Sequence, residues 1–122
     1  MYFCGYMNLK NDIQPVSIAD AQSAVDLWIK TVGVRYFSPL TNMAILAEET
    51  GEVGRIMARR FGDQSFKPGE KNDLADELAD LLWVTMAIAN QCDIDLTEAF
   101  VSNLRKKTER DASRHRENSK LL

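Results

Sequence analysis

Apolar residues in this chain recur mainly at intervals of three and four, the spacing of one helix face, and strand-like alternation is scarce. Ile18, Ala21, Val25, Trp28, Ile29 and Val32 follow a Ser17-x-x-Asp20 pair that resembles a capping box, and predict a first helix ending at Gly33. Ser38 and Pro39 open a second, because serine caps a helix and proline suits its first turn; it continues to Arg60, before Gly62. A polar loop, residues 62–69 with Pro68, separates it from a third helix that starts at about Glu70 or Asn72 and reaches Gln91. Asp95-x-x-Glu98 caps a fourth, whose apolar positions are Leu96, Phe100, Val101 and Leu104. The fold class expected is all-α, with four helices.

Two acidic groups interrupt this pattern. Glu48-Glu49-x-x-Glu52 lies on the second predicted helix and Glu77-x-x-Asp80 on the third. In each, residues three apart project from one side, so two facing helices would aim Glu49, Glu52, Glu77 and Asp80 at one point. Projected at about 100° per residue, Glu49 and Glu52 fall among Ile45, Val53 and Ile56, on the side that should face other helices. Burying an unpaired carboxylate is far costlier than burying leucine is favourable, and like charges raise one another's proton affinity. A divalent cation is the simplest resolution. Glu48 projects roughly 100° to the side of Glu49, which suits a group acting on water better than a direct ligand. Ordinary solvated charges are the competing reading, but a solvated face should not coincide with the apolar one.

Composition narrows the chemistry of that ion. The chain has one histidine, His115, and two cysteines, Cys4 and Cys92, too few for a zinc site, a multi-histidine centre or a disulfide framework. Oxygen ligands favour magnesium, with manganese as the alternative. A carboxylate-bridged di-iron bundle needs Glu-x-x-His pairs, and the lone histidine lies in the tail. Cys92, near the end of an apolar helix, reads as a small buried hydrophobe.

At 122 residues, 45% hydrophobic and 27% charged, the chain fits one globular domain, assigned to residues 17–122 with residues 1–16 as an N-terminal extension. The start lacks a basic region followed by a sustained apolar core, so it does not read as a secretory signal. No apolar run approaches the roughly 20 residues that span a bilayer. A soluble protein of the reducing cytoplasm is expected.

Residues 81–89 carry no charge around the whole helix circumference, more apolar surface than a lone four-helix domain would cover. A second subunit is inferred, a two-fold homodimer first and a dimer of dimers beyond it; the alternative is the central helix of a monomeric bundle. Gly51 and Gly54 sit inside the second helix, each costing roughly 1 kcal/mol relative to alanine, and permit close approach of another helix or a ligand. Residues 105–120 hold seven Lys or Arg against three Asp or Glu, a net of +4, leaving −7 elsewhere. A basic tail beside an acidic, ion-binding nest suits a polyphosphate, whereas a sequence pI near 5.1 and the lack of a known motif speak against nucleic acid.

These residues resemble the MazG-type, all-α nucleoside triphosphate pyrophosphohydrolases. The likeness rests on Glu48, Glu49 and Glu52 followed one loop later by Glu77 and Asp80, on the segment Tyr36 to Asn42, and on Lys107-Thr108-Glu109-Arg110-Asp111. It spans about Ile18 to His115, with Thr108 standing where some relatives place asparagine. It implies a four-helix MazG-like bundle and magnesium-dependent cleavage between the α and β phosphates, of dNTPs or modified NTPs, to a monophosphate and pyrophosphate. Carried over by position, Glu49, Glu52, Glu77 and Asp80 would hold magnesium and Glu48 would assist the metal or the attacking water. Lys107 and Arg110, with Arg114 and Lys71, would bind outer phosphates. Asn42, one heptad before Glu49, would contact sugar or base, and Trp28, Tyr36 and Phe37 either stack on the base or belong to the core. Phosphoribosyl-ATP pyrophosphohydrolase and a non-catalytic helical dimerisation module are the alternatives.

Overall fold

The structure, a computed structural model, describes residues 16–122; the expected N-terminal extension and Cys4 lie outside the described residues except for Val16. Four helices follow one another, α1 (Ile18–Thr31), α2 (Pro39–Phe61), α3 (Leu74–Gln91) and α4 (Leu96–Arg116), with a terminal 3-10 turn, Ser119–Leu121, and no strand among the described residues.

Local chemistry sets most of the boundaries. The Ser17 hydroxyl accepts from Asp20 N at 3.1 Å, Ser38 from Thr41 N at 3.2 Å, and the Asp95 carboxylate from Thr97 N and Glu98 N at 2.9 and 3.3 Å. At the far end of α2, a Cβ on Gly62 would stand 2.5 Å from the Ala58 carbonyl, so only glycine fits that exit. One boundary differs from expectation: α3 starts at Leu74, not at Glu70 or Asn72, with Asp73 as its cap. Glu70 is drawn instead to Arg55 and Arg59 on α2, which holds residues 70–73 outside the helix.

The third helix is the centre of the structure. α2 and α1 both pack on it, and α4 docks on α1. Val25 and Ile29 of α1 meet Met86 and Ala87 of α3, with Ala21, Tyr36 and Leu96 around them. Ile56 and Val84 are fully buried, each contributing roughly 1.5–3 kcal/mol. Gln22 ties α1 to the α3–α4 turn. Its Nε2 donates to Asn90 Oδ1 and to the Ile94 carbonyl at 3.1 and 2.9 Å, while its Oε1 accepts from Leu96 N at 2.9 Å.

One expectation about packing fails. Cys92 is exposed, because it caps α3 where the chain turns, and Asp93 beyond it adopts a left-handed φ of 54°. Among the described residues, Leu96 of α4 packs on the core and α4 docks on α1, while the stripe Phe100, Val101 and Leu104 faces outward.

Candidate metal centre

α2 and α3 run antiparallel, as three pairings along their length show. Asn42 Nδ2 donates to Gln91 Oε1 at 2.8 Å, Glu49 meets Glu77 and Asp80, and Arg55 Nη2 donates to the Lys71 carbonyl at 3.0 Å. This register makes the acidic group. One oxygen each of Glu49, Glu77 and Asp80 lies within 4.8 Å of the others, a span that a six-coordinate ion with bonds of roughly 2.1 Å would bridge after small side-chain adjustments.

The electrostatics are those of a site short of positive charge. Partial burial, and then repulsion from Asp80, Glu77, Glu48 and Glu52, push the Glu49 carboxyl above the usual glutamate range. No ion pair joins a lysine or arginine to Glu49, Glu77 or Asp80 among the described residues. Carboxylate oxygens drawn together without a cationic partner, two of the three residues being partly buried, fit magnesium or manganese.

Glu52 stands apart from the three. Its Oε2 accepts from Arg55 Nε at 3.0 Å and its side chain is half exposed, so the structure brings together three of the four expected ligands. Helix spacing does not separate them, since Glu77 and Asp80 are also three residues apart and converge; what distinguishes Glu52 is Arg55, three residues further along α2, which holds its carboxylate to the flank. Glu48 is exposed, and contributes to the charge felt by Glu49.

Towards the start of α2 and the end of α3 the groove becomes aromatic. A cavity of about 280 Å³ is walled by Trp28, Tyr36, Phe37 and Trp83, with Asn42 and Arg35 as its polar members. Trp28 and Trp83 meet edge to face at 5.5 Å between ring centres. Tyr36 is fixed by a 2.6 Å hydrogen bond from its hydroxyl to Asp26, and burial together with that bond pushes the phenol up to about 12. Asn42 is buried, and its amide is committed to Gln91, which in turn donates to the Phe37 carbonyl.

Trp83 was not singled out from sequence as a site residue. The signal was present, since Trp83 follows Asp80 by three residues and so shares its side of α3.

The basic residues are less concentrated than the sequence implied. Lys71 is exposed just before α3, at the end of the acidic group opposite the aromatic cavity. Lys107, Arg110 and Arg114 lie exposed on α4; Arg110 pairs with Asp111 at 2.9 Å, Arg114 with the same residue at 3.9 Å, and neither pairs with the acidic group. Thr108 donates to the Leu104 carbonyl at 2.8 Å.

Residues 37–115 match the family model described as the MazG nucleotide pyrophosphohydrolase domain. The chain belongs to that family. It is 37% identical over 99 residues to the protein YpjD of Bacillus subtilis (strain 168), covering 80% of this chain and 89% of the relative. The crystal structure of that Bacillus subtilis protein superposes with a TM-score of 0.68 at 36% identity, over 77% of this chain and 97% of the other. The Bacillus-conserved MazG protein, a nucleotide pyrophosphohydrolase, superposes at 0.63 with 32% identity, over 77% and 91% of the two chains. The dCTP pyrophosphatase 1 of Rattus norvegicus is 28% identical over 74 residues, 57% of this chain but only 44% of that enzyme. As a member of this family the chain is a nucleotide pyrophosphohydrolase, and its acidic group lies within the matched residues.

Proposed function

We propose that the chain hydrolyses nucleoside triphosphates between the α and β phosphates with magnesium at Glu49, Glu77 and Asp80, releasing a monophosphate and pyrophosphate. The observation that carries this is the convergence of those three unpaired carboxylates in the groove between α2 and α3. Glu52 is the fourth ligand, and manganese the alternative ion.

The groove has the layout of a nucleotide. Asn42 and Glu49 are seven residues apart on one helix, so the aromatic cavity and the acidic group are about 10 Å apart along α2. A base held against Trp28 and Trp83, with Tyr36, Phe37 and Asn42 around it, would place its phosphates over the carboxylates. Of the three residues that either stack or belong to the core, Tyr36 packs on the core, whereas Trp28 and Phe37 are exposed at the cavity, which favours stacking for these two. Lys71 at the far end, and Lys107, Arg110 and Arg114 from the basic tail, neutralise the outer phosphates. When bound, the cation would supply electrophilic polarisation of the phosphates and charge neutralisation on the pyrophosphate leaving group. Glu48 takes the proton from the attacking water, being beside Glu49 yet outside the group of three. Deoxynucleoside and modified triphosphates are the substrates proposed, a choice supported by likeness to the dCTP pyrophosphatase 1 of Rattus norvegicus.

Dimerisation belongs to the same reading. Seven buried hydrophobics stand against nineteen large exposed ones among the described residues. On α2, Leu40, Met43, Met57 and Phe61 are exposed on one stripe, and Cβ atoms added at Gly51 and Gly54 between them would meet nothing within 4 Å among the described residues. A second copy covers this stripe, the uncharged face of α3 around Leu82, or both; two dimers associating further is the larger assembly proposed. Residues 17–122 form the domain. No helix of the described residues is long and apolar enough to cross a membrane, and the shortage of cysteine pairs supports a reducing, cytoplasmic setting without membrane or nucleic-acid partners.

The test is a panel of canonical and modified nucleoside triphosphates, with phosphoribosyl-ATP included, assayed with magnesium for monophosphate and pyrophosphate. Turnover of a triphosphate to these two products is expected. Orthophosphate as the first product, turnover of phosphoribosyl-ATP alone, or no turnover at all would overturn the reading.

A further inference from the structure

Arg55 joins two parts of the molecule that the proposed chemistry keeps separate. Its Nε is 3.0 Å from Glu52, its Nη2 donates to the Lys71 carbonyl at 3.0 Å, and its Nη1 lies 3.6 Å from Glu70. Arg59 meets the same Glu70 at 3.3 Å, and Arg60 donates to the Asn72 carbonyl. Three arginines on the last turns of α2 therefore strap down the connection that carries Lys71. Only Arg55 among them also holds a residue of the acidic motif.

Glu52 is thus claimed from two sides. It lies about one turn from Glu49 on α2, yet it stays with Arg55 rather than joining Glu49, Glu77 and Asp80. While the centre holds only negative charge, this is the favourable arrangement: a fourth carboxylate among three would add repulsion, whereas Arg55 offsets its charge. A divalent cation reverses the preference, because its charge outweighs that of one guanidinium and it binds oxygen directly.

We propose that Arg55 is a positioning residue of the cation centre, holding Glu52 aside until a divalent ion arrives and then releasing it to the ion. Arg55 Nη2, a different nitrogen from the one on Glu52, holds the Lys71 carbonyl, so the guanidinium stays anchored when Glu52 leaves it. The inference rests on the acidic group being the cation site proposed above.

The experiment is a titration of the full chain with Mn2+, read by electron paramagnetic resonance of the free ion, in four proteins: wild type, Arg55→Met, Glu52→Gln and the double variant. Removing Arg55 ends the competition for Glu52, so Arg55→Met should bind Mn2+ more tightly than wild type by roughly two- to fivefold, the range that a partly exposed ion pair controls. In the Glu52→Gln background the same change should shift the affinity by much less, a coupling that a general charge effect does not produce. Arg55→Lys, which keeps a cation three residues from Glu52, should bind as wild type does, and helical circular dichroism verifies that each variant is folded. Unchanged or weaker Mn2+ binding in folded Arg55→Met, or equal tightening in both backgrounds, would overturn the inference while leaving the cation site standing. Wild type that binds no Mn2+ would overturn the site and the inference together.

Discussion

Glu52 binds Arg55 Nε at 3.0 Å, on the same helix that sends Glu49, one turn earlier, to Glu77 and Asp80. The two glutamates share a motif but not a setting, and their substitutions should differ. Asp80→Asn removes a member of the converged group and should lower magnesium-dependent pyrophosphate release by about a hundredfold or more. Glu52→Gln removes a residue that must first leave Arg55, and should cost less. Steady-state assays on both variants decide this; an equal or greater loss in Glu52→Gln would show that Glu52 is as central as the others.

Without a divalent ion, Glu49 is a liability to the fold. Partial burial and four neighbouring carboxylates disfavour its charged form, so Glu49→Gln should raise the Tm at neutral pH in the presence of a chelator. With magnesium the order should reverse, because the ion stabilises wild type by mass action and the variant loses a ligand. Thermal melts of both proteins with and without magnesium measure it. A lower Tm for the variant under chelator would mean that Glu49 has a stabilising partner.

Trp83 forms one wall of the aromatic cavity, against Trp28. Base stacking on an aromatic side chain is worth roughly 1–3 kcal/mol, so Trp83→Ala should raise KM for the nucleotide by about ten- to a hundredfold with a smaller change in kcat. A fall in kcat alone, at unchanged KM, would place the base elsewhere.

Asp26 accepts from Lys30 at 2.9 Å and from the Tyr36 hydroxyl at 2.6 Å. Burial alone would raise its pKa, but the bonds from Lys30 and Tyr36 outweigh burial and hold the carboxyl below its usual 3.8. A depressed carboxylate contributes stability above its unfolded pKa and loses it as the pH falls through the folded value. Asp26→Asn should therefore melt below wild type at neutral pH, with the gap closing as the pH falls below 3.8. Tyr36, raised to about 12, contributes in the opposite sense: its share is complete below pH 10 and declines as the pH rises towards 12. Urea unfolding of wild type and Asp26→Asn across pH checks the acid limb.

Gly54 separates the solvent explanation of the α2 stripe from the dimer. Nothing among the described residues lies within 4 Å of a Cβ there, so on an isolated chain Gly54→Ala should stabilise α2 by about 1 kcal/mol. Against a closely packed second copy, Gly54→Leu should drive the protein towards monomer while helicity is kept. Sedimentation equilibrium at micromolar concentration reads the outcome, and an unchanged assembly in Gly54→Leu would move the interface off this stripe.

Much of this molecule is legible in its sequence because the relevant signals are local. Ser17, Ser38-Pro39, Gly62 and Asp95 set helix ends within a few residues of themselves, since each satisfies or terminates a neighbouring turn of backbone. The i,i+3 spacing likewise places Glu77 and Asp80 on one side of α3. Tertiary contacts decided the rest. Asp73 starts α3 rather than Glu70, because Glu70 lies beside Arg55 and Arg59 from another helix. Glu49 rather than Glu52 meets the α3 acids, because the antiparallel register sets Glu49 opposite them while Arg55 takes Glu52. Trp83 joins Trp28 only when α1 and α3 pack. Periodicity along one chain assigns a residue to a helix face, but which charge on a neighbouring helix that face meets depends on long-range packing, and here that packing selected three carboxylates out of five.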